Sequence, residues 1–125
     1  MIRIEVKRWL KMSRDDFDSA QVNFDNKKYY VCVFLCQQSV EKGLKAIVIR
    51  KTGELFKVHD LILLGKKLNA PEGILAECDK INGVYLDTRY GDIGGKVPSE
   101  KFDMNMAKTF LKSTNKVLKW LEKEI

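Results

Sequence analysis

Histidine occurs once in these 125 residues, proline twice and cysteine three times. One imidazole and three thiols are a poor supply for a structural zinc site, which needs about four ligands. An odd cysteine count without framework spacing argues against a disulfide scaffold. Cys32 and Cys36, four apart, are read as small buried hydrophobes on one helix face. No run approaches the roughly 18 apolar residues that cross a bilayer. The N-terminal stretch MIRIEVKRWLKMSRDD is charged throughout and lacks the apolar core of a signal peptide. A cytoplasmic protein without membrane association, metal or cofactor is therefore expected. With 45% hydrophobic and 32% charged residues, a collagen-like or disordered chain is excluded, and the length suits one globular domain over residues 1–125.

What is abundant is lysine, with arginine confined to five positions and a formal net charge of +6. Such an excess favours acidic partners (nucleic acid, nucleotide or an acidic protein) without choosing among them.

The apolar pattern has the helical period almost throughout. Ile2, Val6, Trp9, Ser13, Phe17, Ala20 and Phe24 form one stripe, closed by Asp25-Asn26-Lys27, where Asn tolerates the left-handed conformation that ends helices. A second helix from near Lys28 to Lys51 is apolar on most sides, as a central helix must be; Thr52-Gly53 ends it. Leu61, Leu64 and Leu68 predict a brief third helix with Asp60 in its first turn. Asn69-Ala70-Pro71 separates it from a fourth, carrying Ile74, Cys78, Ile81 and Tyr85. Residues 87–99 read as one long loop. The last segment sets Ala107, Leu111, Thr114, Leu118, Leu121 and Ile125 against a face of Lys108, Lys112, Lys116, Lys119 and Lys123. The fold class is all-α, an antiparallel up-and-down bundle of four long helices plus one short one.

Within the central helix, Gly43 interrupts a buried stripe at a cost of roughly 1 kcal/mol relative to Ala, which marks a close helix approach. Gln37, Glu41 and Lys45 fall one turn apart, so Gln37 reaches Glu41 and Glu41 pairs with Lys45. Polar groups beside a buried stripe need partners, and these are read as specifying how a neighbour docks, in the same chain or across a dimer interface.

Trp9 and Ala20, Tyr30 and Phe34, the run Gln37-Gln38-Ser39-Val40-Glu41-Lys42-Gly43-Leu44-Lys45-Ala46, His59-Asp60-Leu61 with Leu64, and finally Arg89-Tyr90 together resemble the HEPN domain, the "higher eukaryotes and prokaryotes nucleotide-binding" family. The resemblance covers nearly the whole chain. It implies an up-and-down helical bundle related to the C-terminal domain of kanamycin nucleotidyltransferase. It also implies partnership with a minimal nucleotidyltransferase, in a pair that behaves as toxin and antitoxin. Many members are metal-independent ribonucleases in which an Arg is followed four to six residues later by His, in a cleft between two subunits. This chain departs from that pattern: its one histidine is His59, Arg50 stands nine positions before it, and no His follows Arg89.

The leading expectation is a non-catalytic, homodimeric HEPN module that binds nucleotide or phosphate beside a nucleotidyltransferase. Its contact residues are expected to be Arg89, Tyr90, Lys42, Lys45 and His59. A guanidinium grips phosphate bidentately and an aromatic face stacks on a base. Two alternatives stay open: a divergent metal-independent ribonuclease using Arg89 with His59 or Tyr90, and a nucleic-acid-binding protein acting through the lysine face. Trp9, Trp120, Tyr29 and Tyr30 supply surplus aromatic surface for self-association.

Overall fold

The computed structural model describes residues 3–84 and 97–125, and among these every regular element is helical. The elements are α1 (Ile4–Asp25), α2 (Tyr29–Thr52), α3 (Leu61–Lys67), α4 (Glu72–Asn82), α5 (Pro98–Lys101) and α6 (Met104–Glu124).

The path of the chain follows from which residues meet. Trp9 lies near Lys45, Ser13 bonds Ser39 and Asp16 pairs with Lys42, so α1 and α2 run antiparallel. Thr114 lies beside Cys36, Leu118 and Leu121 beside Gly43, and Glu124 bonds Lys51, so α6 runs parallel to α2. α3 and α4 pack as a short antiparallel pair, the start of α3 against Asn82 at the end of α4 and Gly65 against Leu75. This is the expected up-and-down bundle, with α2 at its centre. Fourteen of the 24 residues of α2 are buried, including Cys32, Cys36, Val40, Leu44 and Ile47.

Local chemistry fixes the ends, in places differently from the sequence reading. After α1 the left-handed residue is Lys27 (φ 61°) rather than Asn26. Asn26 keeps φ −91° and donates from Nδ2 to Val22 O at 2.8 Å. Gly53 ends α2 at φ 79°, as its position suggested. Asp60 stands just before α3 rather than inside it, accepting from the backbone N–H groups of Ile62 and Leu63. The expected loop through residue 99 ends earlier. Pro98 opens the single turn α5, since its fixed φ suits a first helical position, and Glu100 accepts from the Val97 N–H at 3.3 Å. Ile125, placed on the apolar stripe of α6, is instead 41% exposed at its end. Ile2 and Tyr85 lie outside the described residues.

The three long helices close on small residues. Ser13 Oγ donates to Ser39 O at 2.6 Å and Ser39 Oγ donates to Ser13 O at 2.7 Å, a reciprocal bridge between buried helix midpoints. One turn further along α2, a Cβ on Gly43 would stand 2.8 Å from Leu121 Cδ1 and 3.0 Å from Ser13 Oγ. Leu121 can rotate away, but the Ser13 hydroxyl is held by its hydrogen bond. Gly43→Ala should therefore destabilise the fold by about 1–3 kcal/mol, overpacking outweighing the helix propensity of Ala. Gly73 in α4 has nothing within 4 Å of its missing Cβ, and Gly73→Ala should stabilise by about 0.4–1 kcal/mol. Urea denaturation of the two variants measures the opposite signs.

Candidate functional site

Gln37, Glu41 and Lys45 are 0%, 5% and 6% exposed, a depth that polar side chains tolerate only when paired. The helical step supplies part of that pairing. Gln37 Nε2 donates to Glu41 Oε1 at 3.0 Å, and Lys45 Nζ donates to Glu41 Oε2 at 2.9 Å. Gln38 Nε2 extends the row to Gln37 Oε1 at 2.6 Å. From the connection between α2 and α3, His59 Nδ1 reaches both carboxylate oxygens, at 3.0 and 3.1 Å. Trp9 of α1 presents its ring 5.9 Å from Lys45 Nζ, at the outer limit of a cation–π contact.

Burial by itself would raise the Glu41 carboxyl above its ordinary value. The hydrogen bonds from Lys45, Gln37 and His59, with the Lys45 charge, outweigh it and hold the group below that value. Glu41 is thus an ionised carboxylate, which only accepts, so the His59 nitrogen facing it is the protonated one. The result is a ring 58% exposed at its side chain and oriented from beneath by a carboxylate only 7% exposed.

The loop carrying His59 is pinned from the far side. Asn82, at the end of α4, accepts the Leu61 N–H at 2.7 Å and donates to Asp60 Oδ1 at 3.1 Å. Asn82 was missed in the sequence reading, and no local pattern marks it, since its partners lie 21 and 22 positions away. Lys45 and His59 are brought together on Glu41. Lys42 turns toward α1 and pairs with Asp16 at 2.6 Å, half-buried. Arg89 and Tyr90 lie outside the described residues. Cys32, Cys36 and Cys78 are free and buried. Hydrogen bonding to Cys36 and burial raise the Cys32 thiol, and burial pushes Cys78 up to about 12. The Cys32 and Cys78 thiols are therefore poor thiolate nucleophiles, while the hydrogen bond from Cys32 holds the buried Cys36 below its ordinary value.

A model of the HEPN domain matches residues 6–125. The chain belongs to the HEPN domain family. Among solved structures, TT1696 from Thermus thermophilus is similar with a TM-score of 0.91 and 22% identity, over 100% of both chains. ST0689, an archaeal HEPN homologue, gives 0.81 and 24%, covering 97% of this chain and 98% of its own. An HEPN domain protein from Thermotoga maritima gives 0.73 and 17%, covering 93% and 95%. At these identities the likeness establishes the HEPN fold. No curated protein matches the sequence.

In this HEPN chain the Glu41 corner joins packing to site geometry. Glu41→Gln leaves the Lys45 charge buried without its counter-ion and should cost about 3–5 kcal/mol, much of it regained in a Glu41→Gln/Lys45→Met double variant. Because the folded carboxyl lies below its unfolded value, its contribution is present above the ordinary carboxylate range and is lost as pH falls through the folded value. Chemical denaturation between neutral and acid pH should show the wild type losing stability more steeply than Glu41→Gln.

Proposed function

We propose that this HEPN chain is a homodimeric, non-catalytic binding module. It acts beside a nucleotidyltransferase in a toxin–antitoxin-like pair and contacts a phosphate-bearing group, such as a nucleotide, at the His59 corner. The observation that carries this reading is the exposed imidazole oriented by buried Glu41. A ring so held meets a phosphate oxygen with little orientational freedom left to lose. Metal-free RNA cleavage would need a cation at the reacting phosphate besides a base. Lys42 and Lys45 are neutralised by Asp16 and Glu41, and the Arg-then-His spacing of the family's ribonucleases is absent from the sequence, which favours recognition over cleavage. Arg89 is proposed as the bidentate phosphate contact and Tyr90 as the stacking surface. Lys45 supports the corner from behind Glu41, and Lys42 holds its α1 edge. Ile4, Met12, Leu55 and Leu63 leave apolar surface exposed for self-association.

Tagged protein recovered from cells of the source organism should bring down a nucleotidyltransferase, and the purified pair should bind nucleotide about tenfold more weakly with His59→Ala or Arg89→Ala. Recovery of no such protein, with unchanged nucleotide binding in both variants, defeats the reading. Chelator-resistant cleavage of labelled RNA that disappears in His59→Ala would establish the ribonuclease alternative instead.

One observation favours a second reading, nucleic-acid binding through α6. The glutamates that interrupt its lysine face point elsewhere: Glu122 pairs with Arg14 at 3.0 Å and Glu124 with Lys51 at 2.9 Å. Lys108, Lys112, Lys116, Lys119 and Lys123 are all exposed. Retention on RNA or DNA should fall steeply with salt. Reversing Lys112, Lys119 and Lys123 to Glu should abolish it at low salt, while charge-neutral variants flatten the log–log salt slope by about 0.7–0.9 per lysine.

A further inference from the structure

Three cations, Arg3 just before α1 and Arg50 and Lys51 in the last turn of α2, line a single cavity. Its volume is about 360 Å³, and its walls are Arg3, Val6, Arg50 and Lys51. That size falls within the roughly 300–1,000 Å³ of small-molecule sites. Val6, fully buried with Ala46 and Ile49, gives the cavity a packed apolar base.

The cations are unequally occupied. Arg3 pairs with Glu5 and donates from Nη1 to Gly53 O at 3.4 Å, which ties the first residues of α1 to the end of α2. Lys51 pairs with Glu124 of α6 at 2.9 Å. Arg50 forms no ion pair among the described residues, although it lines the same cavity. Three positive groups therefore face two carboxylates, and the surplus charge is a guanidinium. The α2 dipole accounts for cations in that helix's own last turn. Arg3, brought across from just before α1, meets the same helix end at Gly53 O, and the group as a whole still carries one more positive charge than the two carboxylates offset. Cations gathered against a packed wall repel one another, and a bound anion relieves that repulsion.

The geometry points to a second anion site, formed by Arg3, Arg50 and Lys51, that takes the terminal phosphate of a small phosphomonoester. Arg50 is its principal contact. A guanidinium matches two phosphate oxygens with parallel hydrogen bonds, and Lys51 adds a point charge beside it. Arg3 fixes the α1 wall through Gly53 O and contributes charge from the opposite side. The site uses none of the residues assigned to the His59 corner, so either can fail without the other.

Backbone amide resonances of the full chain, followed during titration, test this. Inorganic phosphate and adenosine monophosphate are the probes, with chloride at matched ionic strength as the control. Val6, Lys7 and residues 50–53 should shift saturably with phosphate, with a dissociation constant at or below about 1 mM. Equal affinity for both probes would mean that recognition ends at the phosphate; tighter binding of the nucleotide would mean that the cavity wall also contributes. Arg50→Gln should weaken binding about tenfold or more. Lys51→Gln is the second variant, in case the first is poorly folded, and the affinity is read only at Val6, Lys7 and residues 50–53, so that binding at the His59 corner does not enter it. Shifts that remain linear, that chloride reproduces, or that survive both Arg50→Gln and Lys51→Gln overturn the site. Loss of those same shifts in His59→Gln alone would also overturn it, by assigning the phosphate to the other corner.

Discussion

A carboxylate set among apolar side chains keeps its charge only if its hydrogen bonds come with it, and Glu41 receives them from two parts of the chain. Gln37 and Lys45 belong to its own helix; His59 arrives from the connection to α3. The cluster does two jobs. It lets α2 carry polar groups through the middle of the bundle, and it fixes where the α2–α3 connection crosses that helix. Losing one member exposes the others to the full cost of burial, which is why a network of this kind specifies one arrangement. The exposed ring of His59 is the outward end of this buried constraint.

The long helices are held by a different means. Ser13 and Ser39 exchange hydrogen bonds with each other's backbone carbonyls, and Gly43 admits Leu118 and Leu121 of α6 close to the α2 backbone. Such contacts leave little freedom for α1 or α6 to slide along α2. That register brings Trp9 over Lys45 and Asp16 to Lys42. It also brings Arg3 to the end of α2 and Glu124 to Lys51. The central packing thus decides the electrostatics at both the His59 corner and the end of the bundle.

The surplus of positive charge is sorted by this packing. Lys42 and Lys45 are neutralised by carboxylates at least partly inside the fold, while Arg14 and Lys51 meet glutamates on α6. Arg50 and most of the exposed lysine face of α6 keep their charge for solvent or ligand. A net charge of +6 read from composition treats all these residues alike. Their capacity to attract an anion differs according to which have a carboxylate within reach.

Periodicity was enough to read α1, α2, α4 and α6, the central place of α2, the tight approach at Gly43 and the row Gln37–Glu41–Lys45. All are local properties, set by the 3.6-residue turn and by the poor fit of glycine in a helix interior. The resemblance to the HEPN domain was legible for the same reason, since its motif runs along one helix and into the next. The third partner of Glu41 was not legible: His59 is 18 positions away, and Asn82, which pins its loop, lies 21 and 22 positions from the groups it bonds. The pairing of Lys42 with Asp16 and the Ser13–Ser39 bridge each span 26 positions. A helical pattern specifies which face is apolar, but not which helix covers it or at what height. Only tertiary packing sets those two quantities, and with them which charged groups are neutralised and which remain available.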